Sequence, residues 1–224
     1  MPLIFNNVDM NIEKIFIPGN YPDLLRRIEL TSADILKIIN PFKIIFPQIR
    51  NDTVEQKIKF PFFVEAFYTY IIKNNTIPTQ EVFFGYYFLL NESFFKEKQF
   101  DSTILEGLEA RVNRTYPSLV RDIHFNKFIN ENLHGTNIIY NINLDVEEGI
   151  DSIIEKGSTF YALNFFTDTD RAKKASRKKR FRHTPFQNVT YIQLPLNLKN
   201  SLKCGDFSLY GNPEFLTLKK EIGL

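Results

Sequence analysis

At 224 residues, 43% hydrophobic and 24% charged, the chain is long enough to bury a proper core and too apolar to be a disordered polymer. Its one cysteine, Cys204, excludes an internal disulfide and any multi-cysteine zinc site, and no apolar run approaches the roughly 20 residues of a membrane-spanning helix. The formal net charge is only +2, yet residues 171–182 hold eight lysines and arginines and no acid, which leaves about −6 on the rest; that asymmetry points to a polyanionic partner, most simply nucleic acid.

Residues 1–10 lack the basic start and apolar centre of a secretory signal, so with the lone cysteine the expectation is a cytoplasmic protein that does not meet the membrane. Residues 1–98 read as a mainly helical region, fit for recognition, dimerisation or partner docking. Thr31 and Ser32 can cap a helix carrying Ile35, Leu36, Ile38 and Ile39, with Pro41 ending it. A second helix is predicted over 62–73, after Pro61 and before Asn74 and Asn75. The third follows Thr79 and is apolar almost all round, from Val82 to Leu90, which predicts an interior helix.

Residues 99–224 change texture. Residues 101–112 and, after Pro117, 118–131 read as two helices. Strict alternation over 136–144, with Ile138, Tyr140, Ile142 and Leu144 on one face, predicts a strand. A second short strand is expected over 150–154, a tight hairpin at Lys156-Gly157, a third strand over 159–167 and a fourth over 189–196, closed by Pro195. Between the last two lies the basic segment, as a helix that Asp168, Thr169 or Asp170 can cap. Its small residues Ala172, Ala175 and Ser176 share one face, while Arg171, Lys174, Arg177, Lys178 and Arg182 project outward and Arg180 and His183 sit at its end. With no interleaved acid to relieve repulsion, those seven charged positions are the expected phosphate contacts.

Gly149-Ile150-Asp151 before a hairpin, the third-strand run Tyr161-Ala162-Leu163-Asn164-Phe165-Phe166-Thr167, and the order helix, three strands, helix, strand together resemble the restriction-endonuclease-like nucleases, the PD-(D/E)XK superfamily. The fold class this implies is α/β (α+β): a helical N-terminal half followed by an α-βββ-α-β core with a mixed sheet. The resemblance further implies a metal-dependent nuclease acting on DNA, in restriction, phage defence or mobile-element processing. Mg²⁺, with Mn²⁺ as the alternative, would be held by clustered carboxylates.

Carried onto this chain, Asp151 takes the place of the second-strand aspartate and Glu109 that of the helix acid, both as metal ligands, a pairing that requires them to be within reach of one ion. Asn164 and Phe166 stand where an acid and a lysine are usual. Asn164 is then expected to complete or orient the ligand set, Lys173 or Lys174 to reach back in place of the missing lysine, and Glu155 to offer a second carboxylate. Arg121 and Asp122, near the same place, can orient it.

The Asn164/Phe166 departure equally suits a non-catalytic nucleic-acid-binding protein, or a subunit of a homodimer or larger assembly, built on the same fold. DNA is favoured over RNA by the resemblance alone. No HExxH, Walker A or GxGxxG motif occurs, and His124, His134 and His183 are scattered, so each histidine reads as structural or surface.

Overall fold

Thr31 opens the first helix. Its hydroxyl accepts from the Asp34 N–H at 3.0 Å while the Asp34 carboxylate accepts from the Thr31 N–H at 3.2 Å, a reciprocal cap that starts α1 (Ser32–Ile39). The computed structural model describes residues 14–170, 172–174 and 184–224. Arg171, Arg177, Lys178, Arg180, Arg182 and His183 therefore lie outside the described residues.

α2 (Phe63–Asn74) begins after Pro61 and stops where Asn75 turns left-handed, with φ of 47°. Thr79 caps α3 (Gln80–Leu90), and α4 (Glu92–Lys98) follows at once. α3 is not the interior helix its composition predicts: Phe83 and Tyr87 are buried, but Val82, Leu89 and Leu90 face solvent. Only one side of it meets α2 and α5, so an all-apolar sequence does not by itself bury a helix.

The two helices expected around Pro117 are one, α5 (Ser102–Asn132), started by the Asp101 carboxylate accepting from Ile104 N–H at 2.8 Å. Proline has no N–H to give the carbonyl four residues back, that of Asn113, and normally breaks a helix there. Here the buried Gln80 side chain donates to Asn113 O at 2.9 Å, filling the vacancy from α3.

β1 (Asn137–Ile139) is shorter than its alternating pattern predicts. Asn141 turns its side chain to accept from Asn143 N–H at 2.9 Å and opens a short helix, α6 (Ile142–Val146), so Ile142 and Leu144 are helical. β2 (Ser152–Lys156), β3 (Thr159–Thr167) and β4 (Val189–Leu196) complete a sheet of order β1-β2-β3-β4, antiparallel except for the β3–β4 pair. This is the expected mixed sheet behind a helical half. Pro195 lies within β4, opposite Phe166, which an outermost strand tolerates. β5 (Leu202–Cys204) and β6 (Phe207–Leu209) form a separate hairpin, and α7 (Asn212–Glu221) closes the chain.

Strand alternation separates two cores. Ile154 and Leu163 face the large cluster, with Tyr116, Val120 and Ile123 of α5 and the buried residues of α1 to α3. Ile153 and Ala162 face a smaller one with Phe16, Leu144 and Phe186. The N-terminal helices thus share their core with α5 and the sheet. Among the described residues, no helix is long and apolar enough to cross a membrane.

Candidate active site

A cavity of about 300 Å³ opens between the middle of α5 and the ends of β2 and β3. Ser118, Arg121 and Asp122 reach it from α5, Asp151 from the residue before β2, Asn164 and Phe166 from β3, and Tyr210 from the turn before α7.

Asp151 is positioned by backbone on both sides. Gly149, at φ of 69°, lets the chain leave α6, and Asp151 N–H donates to Leu163 O at 2.9 Å. Its carboxylate accepts from Phe165 N–H, so Asp151 continues the β2–β3 ladder with its side chain. One step beyond the Ser152↔Leu163 pair, the register sets Asp151 against Asn164, which is itself buried. The expected neighbourhood of Asp151 and Asn164 is present, and both line the cavity.

Glu109 is not there. It is exposed, and the 13 helical steps from it to Asp122 correspond to about 20 Å along the helix, too far for an ion held at about 2.0–2.6 Å. Its turn of α5 has buried residues on several sides, Gly107, Leu108, Ala110 and Val112, so apolar neighbours do not fix which way an intervening acid points. The helix carboxylate that lines the cavity with Asp151 is Asp122. The signal for it in the sequence is a charged pair, Arg121-Asp122, set between Leu119-Val120 and Ile123 of the helix.

Glu155 lies four residues along β2, about 13 Å away, and accepts from Asn137 at 3.1 Å instead. Lys173 and Lys174 are both exposed at the rim and neither lines the cavity; the Lys173 ammonium pairs with Asp168. Thr169 caps this turn, its hydroxyl accepting from Ala172 N–H at 3.2 Å, and Ala172 itself lines the cavity, so the basic segment begins at the cavity's edge. Among the described residues, the cation in the lining is Arg121, whose Nε donates to Ser208 O at 2.9 Å.

Tyr210 reports the local field. Burial drives its phenol far above the ordinary range; Asp122 and Asp151 push the same way, while Arg121 opposes. The hydroxyl stays protonated, its single proton shared between the carbonyls of Phe166 and Leu194, both at 3.2 Å.

Among the described residues, no three histidine, cysteine or acidic side chains gather into a complete metal cage. Two carboxylates and an amide oxygen on one small cavity nevertheless suit Mg²⁺, which commonly takes one or two carboxylates and completes its shell with water and phosphate.

The profile of the TaqI restriction endonuclease family matches residues 14–203. The chain belongs to the TaqI restriction endonuclease family. Its members are nucleases that act on DNA, and the matched span contains the cavity-lining residues from Ser118 to Ala172 together with the whole basic segment. No curated protein and no solved structure matches the chain.

Proposed function

We propose that the protein is a Mg²⁺-dependent endonuclease of restriction type that hydrolyses DNA phosphodiesters in the cavity between α5 and the β2–β3 edge, with Mn²⁺ able to substitute. The observation that carries this reading is the meeting of Asp122 and Asp151 at one cavity in a TaqI-family chain. A divalent cation, when bound, supplies positive charge at the phosphate and a water of lowered pKa. Asp122 and Asp151 hold it, and the Phe165 N–H fixes the Asp151 carboxylate in place. The Asn164 amide orients the same group of ligands.

Arg121, fixed by the Ser208 carbonyl, is placed to neutralise charge building on the phosphate, in the role the third-strand lysine would have. Phe166 cannot do this, and Lys173 is engaged by Asp168. Lys174 and the cationic stretch that follows it grip the flanking backbone without reading bases.

Non-catalytic DNA binding is the second reading, favoured by Asn164 and Phe166 at the two strand positions where chemistry usually sits. Supercoiled plasmid incubated with Mg²⁺, Mn²⁺ or EDTA separates the two. Cutting that needs metal, falls on the order of 100-fold in Asp122→Asn and Asp151→Asn, and survives in Glu109→Gln is expected. Salt-sensitive binding with no cutting under either metal would establish the second reading.

A further inference from the structure

Residues 43–50, Lys43-Ile44-Ile45-Phe46-Pro47-Gln48-Ile49-Arg50, leave three large apolar side chains in solvent: Ile45 at 63%, Phe46 at 58% and Ile49 at 58% exposure. Their backbone is held firmly. Gln80 clamps Ile45 from both sides, accepting from its N–H at 2.7 Å and donating to its carbonyl at 3.0 Å. Arg114 donates to the carbonyls of Pro47 and Ile49, and Asp206 accepts from Ile44 N–H at 3.1 Å. An apolar tip on a backbone anchored at Ile44, Ile45, Pro47 and Ile49 is ready to be covered by something else.

Its location indicates by what. Gly107, Arg111, Arg114, Ser118 and Arg121 recur every three or four residues and so lie along one stripe of α5. Gly107 meets Asn51 and Val54, Arg111 donates to Val54 O at 2.6 Å, and Arg114 holds the loop, while Ser118 and Arg121 line the catalytic cavity. Arg121 lies seven helical steps beyond Arg114, about 10 Å along the axis, so tip and cavity are neighbours on one face. The β5–β6 hairpin ties them together, its Asp206 bonded to the loop and its Ser208 to Arg121. Exposed Arg50 and Lys43, the latter 3.7 Å from Asp206 but still largely in solvent, flank the apolar tip, which suits a polyanion better than an apolar protein surface.

We propose that residues 43–50 form a DNA wedge, with Phe46 and its neighbours Ile45 and Ile49 inserting between base steps next to the scissile phosphate while Lys43 and Arg50 contact the flanking backbone. Insertion of this kind unstacks and kinks a duplex at a cost of a few kcal/mol, offset by closer contact with the protein. A kink one cavity-width from Asp122 and Asp151 turns the strand toward them. The position next to the scissile phosphate rests on the nuclease reading of that cavity; the wedge itself does not.

The test uses the full chain in EDTA, so that no cutting is required. Closed plasmid is relaxed in the presence of protein by a type IB topoisomerase, which needs no metal, and the linking number of the product after protein removal records unwinding. Wild type is expected to shift the topoisomer distribution, and Phe46→Ala to abolish the shift and weaken affinity on the order of tenfold. Because Phe46 is exposed, the variant is expected to fold, which its circular dichroism checks. Arg50→Gln is expected to lower the log–log salt slope of binding by about 0.9.

Identical topoisomers for wild type and Phe46→Ala would overturn the wedge, as would a change in monomer–dimer ratio on sedimentation with DNA affinity untouched, which would assign the tip to a second copy of the chain. If Mg²⁺ yields no cutting while the EDTA unwinding depends on Phe46, the nuclease reading fails and the wedge stands.

Discussion

Gln80 and Pro117 can be tested as a pair, because the structure ties the cost of one to the presence of the other. Replacing Gln80 with leucine keeps the volume and removes three hydrogen bonds, one to Asn113 O at 2.9 Å and two to Ile45 at 2.7 and 3.0 Å. The Ile45 groups belong to an exposed residue and water can replace Gln80 there, so each contributes about 0.5–1 kcal/mol. Asn113 O sits in a buried stretch of α5 and has no helical donor, so orphaning it costs about 1–3 kcal/mol. Gln80→Leu alone is therefore expected to cost about 2–5 kcal/mol. Pro117→Ala restores the missing N–H, and in that background the Asn113 part of the cost disappears. A double-mutant cycle by urea unfolding at pH 7 should give a coupling of about 1–3 kcal/mol. Strict additivity of the two substitutions would refute the account of how α5 passes through a proline.

Two glycines should respond oppositely to alanine. In Gly107→Ala the new Cβ meets Asn51 Cβ at 2.7 Å and Val54 Cγ2 at 3.1 Å, so a net loss of about 1–2 kcal/mol is expected despite better helix propensity; Gly85→Ala, with nothing within 4 Å, should gain up to about 1 kcal/mol in the same thermal melts. Burial lowers the His124 imidazole from 6.5 to about 4, so in this range the unfolded chain binds a proton that the folded chain refuses. Its contribution is constant above pH 7 and stability falls by about 3 kcal/mol in total as pH drops through 6.5 to 4, seen as a narrowing gap to His124→Phe in EDTA-containing urea titrations. Five phosphate contacts from the segment starting at Arg171 would give DNA binding a log–log salt slope of about −4 to −5; a flat response would remove that segment from the interface.

Local chemistry makes much of the fold readable in the sequence. The Thr31 and Thr79 caps, Pro61 ahead of α2 and the runs that became β3 and β4 act within a few residues of themselves, where sequence reasoning is strongest. The unbroken α5 was hidden because its proline is accommodated by Gln80, 33 residues away in sequence. β1 was overextended because period-two alternation at Ile142 and Leu144 outweighed the capping tendency of Asn141. In the site, Asp151 and Asn164 were legible from their places on adjacent strands. Asp122, which the sequence offers as an orienting neighbour, lines the cavity and Glu109 does not, because facing on a helix buried over several sides depends on what packs against each turn. The loop that presents Phe46 carries no distinguishing sequence signal, since its apolar residues have the composition of core and only their exposure sets them apart.

The single stripe of α5 that carries Gly107, Arg111, Arg114, Ser118 and Arg121 constrains how this protein can change. One residue inserted between Arg114 and Arg121 would advance everything beyond it by 1.5 Å and swing it through about 100°, turning Arg121 and Asp122 away from Asp151. Length variation among relatives should therefore collect at turns such as Gly157-Ser158, while the interval from Arg114 to Asp122 stays fixed residue for residue. That interval serves the chain as its ruler, and a homologue that altered it by anything other than whole helical turns would have to rebuild either the loop or the cavity.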